Sequence, residues 1–130
     1  MALNVLVVDD SAVMRSMIIR TLEMAGVEVG EMLQASNGEE ALKLLDENWI
    51  DLALVDINMP VMNGEQLIEE VRKRDAIADL PIIVVSTEGS QTRIERLQQK
   101  GAKFIHKPFT PETISEIVEG VTEVANDSQV

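Results

Sequence analysis

Four short aliphatic runs in this chain each stop at a polar residue: LNVLVV at Asp9 and Asp10, LALV at Asp56, PIIVV at Ser86 and Thr87, and KFIH at Lys107 and Pro108. Runs of about four to eight β-branched and apolar residues read as strands buried on both faces of a parallel sheet. Their polar termini then gather at the carboxyl ends of the strands, the edge at which open α/β sheets bind ligands. Helical patterns fill the intervals. Val13, Met17, Ile18 and Leu22 recur at helical spacing until Gly26 stops the helix. The SNGEEALKLL segment opens a second helix, with Ser36 or Asn37 as its N-cap and two acids in its first turn, and ends near Asn48. Helices are also expected over 65–74, 92–100 and 111–124, the last begun by Pro111 where proline is favoured. With strands at 4–8, 31–35, 52–55, 82–85 and 103–106, five βα units imply a parallel sheet covered by helices on both faces. The order of the strands is not readable from the pattern.

A chain of 130 residues makes one domain, burying roughly two thirds of the surface its unfolded form exposes. Aromatic residues are only 2% of it (Trp49, Phe104 and Phe109), so the core is aliphatic. With 23 acidic residues against 11 basic ones the net charge is −12, which opposes direct nucleic-acid binding, since that rests on Lys and Arg neutralising phosphates. Cysteine is absent, which excludes a disulfide framework and thiol or Cys-type zinc chemistry. The opening MALNVLVVDD lacks a basic leader, and no apolar run approaches the ~20 residues that span a bilayer. A soluble, cytoplasmic protein without membrane insertion is expected.

The sharpest chemistry lies at Asp9, Asp10 and Asp56. Two carboxylates about 4 Å apart repel by roughly 4 kcal/mol at an effective dielectric of 20, so three together call for a cation. Hard oxygen ligands point to Mg²⁺, with Mn²⁺ as a substitute. An Asp pair after a strand can simply cap a helix, but Asp56 after a second buried strand argues for a shared site. Without metal, like-charge repulsion should raise the pKa of at least one of the three. Lys107 on the same edge can meet a phosphoryl oxygen as a point charge. Pro108 after it allows a cis peptide, whose isomer the sequence does not reveal. Ser86 can donate a hydroxyl hydrogen bond to the same oxygens, and Thr87 competes for that role.

The segments VVDD, VDINMPVMNG, PIIVVSTEG and KFIHKPF, in this order and spacing, resemble the receiver domain of two-component response regulators along essentially the whole chain. In length the chain is similar to the stand-alone chemotaxis, CheY-like type. The resemblance implies a flavodoxin-like, doubly wound five-stranded parallel sheet of order 2-1-3-4-5, with a receiver domain over residues 1–125 and a polar tail over 126–130. It implies that Asp56 is the phosphoacceptor, taking a phosphoryl group from a sensor histidine kinase. Asp10 would bind Mg²⁺ directly, Asp9 through water and Asn58 through its backbone carbonyl. Lys107 and Ser86 would hold the phosphoryl oxygens, assisted by backbone N–H groups near Ile57 and Thr87, and Asn58 and Glu88 would tune the phosphate lifetime. Ser86 would then move toward the phosphoryl group and Phe104 fill the space it leaves, changing the face of helix 4, strand 5 and helix 5 that a downstream target reads. The family often has tyrosine at the Phe104 position, so any hydrogen bond from that hydroxyl is missing here.

On this reading the domain acts on itself rather than as an enzyme on a separate substrate, and it is a monomer when unphosphorylated. Two other classes compete: a Mg²⁺-dependent phosphatase or phosphotransferase, for which no Gly-rich phosphate loop or nucleotide fingerprint is present, and a constitutive protein-binding module with a vestigial site. His106 shares strand parity with Phe104 and is expected to be a partly buried structural histidine. Trp49 is expected to cap the core at the end opposite Asp56, and Met59 to Met62 to be filler or a flexible rim.

Overall fold

The computed structural model describes residues 2–87 and 89–127. Strands β1 (Leu3–Val8), β2 (Val29–Ala35), β3 (Leu52–Val55), β4 (Ile82–Ser86) and β5 (Lys103–His106) alternate with helices α1 (Ala12–Met24), α2 (Gly38–Glu47), α3 (Gly64–Lys73), α4 (Gln91–Gln99) and α5 (Pro111–Asp127). All strand pairs are parallel, in the order β2-β1-β3-β4-β5. This is the doubly wound, flavodoxin-like order, and its direction reverses between β1 and β3.

Strand alternation divides the core into two layers. Leu6, Val8, Ala53, Val55, Ile82 and Val84 face α2, α3 and α4, meeting Ala41, Leu45, Leu67, Ile68, Val71 and Leu97. Val5, Val7, Leu52, Leu54, Ile83, Val85 and Ile105 face α1 and α5, meeting Ile18, Leu22, Ile114 and Val118. The central strands β3 and β4 are therefore apolar on both faces, and only the edge strands β2 and β5 mix buried with exposed residues.

Helix starts are set by side-chain caps that satisfy otherwise unpaired N–H groups. Ser11, Asn37, Asn63 and Ser90 each accept from a backbone N–H in the first turn of α1, α2, α3 and α4. Of the two candidates for α2, Asn37 is the cap, while Ser36 donates its hydroxyl to Glu40 at 2.6 Å. Proline opens α5, which runs past Val124 to Asp127, so Asn126 and Asp127 are helical and residues 128–130 lie outside the described residues. Among the described residues no helix is long and apolar enough to cross a membrane.

Val13, Met17 and Trp49 depart from their expected burial. Val13 and Met17 share the helical spacing of Ile18 and Leu22 but are 71% and 52% exposed. At about 100° of rotation per residue, each lies at least that far round the axis from both inward residues. Trp49 is 75% exposed and caps nothing, because its indole N–H is tied to Asp51 Oδ1 at 3.0 Å in the segment that enters β3.

Among the described residues, the non-glycine residue at positive φ lies in the segment after β3. Met62 donates to the carbonyl of Pro60 at 2.7 Å, closing a three-residue turn around Val61, whose φ is +69°. A β-branched residue is disfavoured in that left-handed region. Beyond it, Gly64 lets α3 start directly on the site backbone: a Cβ there would collide with the Asp56 carbonyl oxygen and stand 2.9 Å from Ile57 Cα. The Gly64 N–H donates to Ile57 O at 2.8 Å.

Replacing Val61 by Asn, which tolerates positive φ, should raise the urea midpoint of unfolding, with a gain of about 1 kcal/mol. A midpoint that falls would show that the turn is not strained by its β-branched residue.

Candidate functional site

Register brings the polar strand ends level. Val8 pairs with Val55, Val55 with Val84, and Ser86 with His106. One residue further on, the Asp56 N–H still donates to Val8 O and the Lys107 N–H to Ser86 O, both at 2.9 Å. Asp9 and Asp56 therefore leave neighbouring strands side by side, at the β1/β3 point where the winding direction reverses.

One carboxylate oxygen from each of Asp9, Asp10 and Asp56 lies within 4.8 Å of the other two. Asp9 is 2% exposed and Asp56 8%, while Asp10 is exposed to solvent. Lys107 reaches in from the end of β5, its Nζ 3.5 Å from Asp9 Oδ2 and 3.8 Å from Asp56 Oδ1. The Lys107–Pro108 bond is cis, which settles the isomer the sequence left open. Three carboxylates against one ammonium leave an excess of negative charge on hard oxygen donors, and that donor set fits Mg²⁺.

Burial pushes the Asp56 carboxyl above its ordinary value, the Lys107 ammonium works against the rise, and Asp9 adds to it more weakly. The expected upward shift is therefore present, but loss of water is its first cause and repulsion among the carboxylates comes after it.

Ser86 is fully buried at the end of β4 and Thr87 is exposed, so of the two hydroxyls only Ser86 belongs to the interior. Ile57 is fully buried, and its backbone N–H beside the Asp56 carboxylate works against the rise in that group's pKa. Asn58, next in the chain, is exposed. Glu88 lies outside the described residues. Met59 is buried in the core beneath the loop, and Met62 packs against the same cluster, so both are filler rather than a flexible rim.

Phe104 is half-buried against the α2, α3 and α4 layer. Its ring meets that of His106 edge to face, with centroids 4.7 Å apart. His106 is exposed rather than partly buried, because β5 is the edge strand of the sheet.

One residue at the site was not singled out from the sequence. Arg15, on α1, donates from Nη1 to the Asp9 carbonyl at 2.6 Å and from Nε to Gln34 Oε1 at 3.0 Å. The only signal for it was a basic side chain in the first turns of a helix that begins at an acidic pair.

Residues 5–119 match the response regulator receiver domain. The chain is 40% identical over 121 residues to a chemotaxis protein CheY homolog of Campylobacter jejuni, covering 92% of each. It is 41% identical over 126 residues to the chemotaxis protein CheY of Thermotoga maritima, covering 96% of this chain and 99% of that one. The solved structure of the chemotaxis response regulator CheY4 of Vibrio cholerae superposes with a TM-score of 0.81 at 34% identity, covering 93% of this chain and 99% of that one. With the matched segment running through every strand and the acid cluster at its carboxyl edge, the chain belongs to the response regulator receiver family.

Proposed function

We propose that residues 1–125 form a cytoplasmic phosphorylation switch whose phosphoacceptor is Asp56. The observation that carries this reading is the Asp56 carboxylate, nearly buried, with the Lys107 ammonium 3.8 Å from its Oδ1 and two further acids beside it. In the proposed step an Asp56 oxygen attacks phosphorus in line, the bond from phosphorus to the imidazole nitrogen of a sensor histidine kinase breaks, and an aspartyl phosphate forms. Lys107 and Ser86 hold the phosphoryl oxygens, with backbone N–H groups of Ile57 and Thr87 beside them. Asp10, Asp9 through water, Asp56 and the Asn58 carbonyl would hold Mg²⁺, or Mn²⁺ in its place, which neutralises phosphoryl charge when bound. Hydrolysis by water resets the switch, and the exposed side chain of Asn58 together with Glu88 sets how fast. The domain is thus its own phosphoacceptor and phosphatase and turns over no separate substrate.

Signalling follows from Ser86 drawing toward the phosphoryl group and Phe104 turning into the space it leaves. Because Phe104 already sits half out of the core at the edge strand, its rotamer alters the face of α4, β5 and α5 directly. A downstream target protein reads that face, the unphosphorylated domain is a monomer, and the names of the chemotaxis relatives support a pathway of that kind.

Incubation with Mg²⁺ and acetyl phosphate should add one phosphoryl group to the intact mass, and Asp56→Asn or EDTA should abolish the adduct. An adduct that persists in Asp56→Asn would sink the assignment.

The raised pKa of Asp56 also makes metal-free stability depend on pH. Between the ordinary value of 3.8 and the higher folded value, the folded state holds more protons than the unfolded one. Stability therefore falls as pH rises through that window, and the full penalty persists above it. Without metal, Asp56→Asn should melt at a higher temperature than wild type at pH 7, and the gap should close as pH falls below the window. Equal melting temperatures at pH 7 would contradict the burial penalty.

A further inference from the structure

Asp9 is held at each of its polar atoms. Its N–H donates to Ala35 O at 3.1 Å, its Oδ1 accepts from the Ser11 N–H at 2.9 Å, its Oδ2 faces Lys107 Nζ at 3.5 Å, and its carbonyl accepts from Arg15 Nη1 at 2.6 Å. Asp10 is the opposite case: it is exposed, and its carboxylate forms no hydrogen bond or ion pair among the described residues. The aim of the Asp10 carboxylate is therefore set by its backbone, and the peptide that leads into it is the one whose carbonyl Arg15 grips.

Arg15 is itself held. Its Nε donates to Gln34 Oε1 at 3.0 Å, and Gln34 lies on β2 in register with Val7 of β1. A guanidinium is a rigid planar fork, so contacts through Nε and Nη1 fix its orientation as a lysine would not. The bridge thus ties α1, the end of β1 and β2 together behind the acid cluster, while Lys107 reaches the same cluster from β5 on the other side.

We infer that Arg15 and Gln34 are a positioning pair for the metal ligands, fixing the Asp9–Asp10 peptide and through it the affinity for Mg²⁺. The inference rests on the proposed reading of Asp9 and Asp10 as the metal-binding residues. Charge and position make opposite predictions. A cationic side chain near the site repels Mg²⁺, so if Arg15 acted only through its charge, removing it would tighten binding. If it acts by holding the peptide, removing it weakens binding.

The deciding experiment is calorimetric titration of the metal-stripped protein with MgCl₂ at fixed ionic strength, with far-UV circular dichroism to verify the fold. Arg15→Met should raise the Kd about tenfold, the lower end of what loss of an outer-shell partner does to a metal site. Gln34→Leu, an exposed position whose change leaves every charge in place, should raise it by a smaller factor, and it carries the test alone if Arg15→Met does not fold. Arg15→Lys, which keeps the charge and can make only one of the two contacts, should fall between wild type and Arg15→Met. Folded variants that bind Mg²⁺ as tightly as wild type, or more tightly, would overturn the positioning role. Absence of Mg²⁺ binding by the wild-type protein would overturn the metal reading beneath it, so the two failures are distinguishable.

Discussion

Taking the Asp56 carboxylate out of water at the end of a strand buried on both faces is the constraint around which the rest of the site is arranged. At an effective dielectric of 20, carboxylate oxygens within 4.8 Å of one another repel by about 3 kcal/mol per pair or more. Each of the two Lys107 contacts, at 3.5 and 3.8 Å, returns about 4 kcal/mol on the same scale. The Lys107 ammonium thus offsets part of the repulsion among the acids, and burial is the first cause of the raised Asp56 pKa. Lys107 can only play this part because its backbone continues the β4–β5 ladder through Ser86 O.

Much of this was legible in the sequence because it rests on short-range pattern. Strands buried on both faces leave unbroken apolar runs, and their polar termini mark the functional edge without any knowledge of strand order. Contacts between elements far apart in sequence were harder to read. Arg15 escaped because its partners are a backbone carbonyl and a side chain on β2, neither of which leaves a mark on residue type. Val13 and Met17 misled because apolar residues at helical spacing fit more than one face of a helix, and only packing decides which face is inward. The indole of Trp49 was misplaced for a related reason: a hydrogen bond to Asp51 holds it outside the core.

The same elements carry the structural route outward from the site. Gly64 seats the first turn of α3 against the Asp56 carbonyl and Ile57, so the helix begins where the chemistry is proposed to occur. Glu65 and Glu69 on α3 pair with Arg96 and Lys100 at the end of α4 at 3.1 and 2.9 Å. Exposed pairs of this kind are worth little individually, and the apolar anchorage of α4 comes from Ile94 and Leu97.

The position of Trp49 has an optical consequence. It is the chain's one tryptophan, exposed in the segment that leads into β3, whereas Asp56 follows the strand's other end. The residue next to Asp56, the proposed phosphoacceptor, is the aliphatic Ile57. Intrinsic fluorescence in this protein therefore samples bulk water at the far rim of the sheet and is insensitive to events in the acid pocket. Following those events by light would require an introduced chromophore on the pocket side, for which Asn58, exposed and two residues after Asp56, is one position.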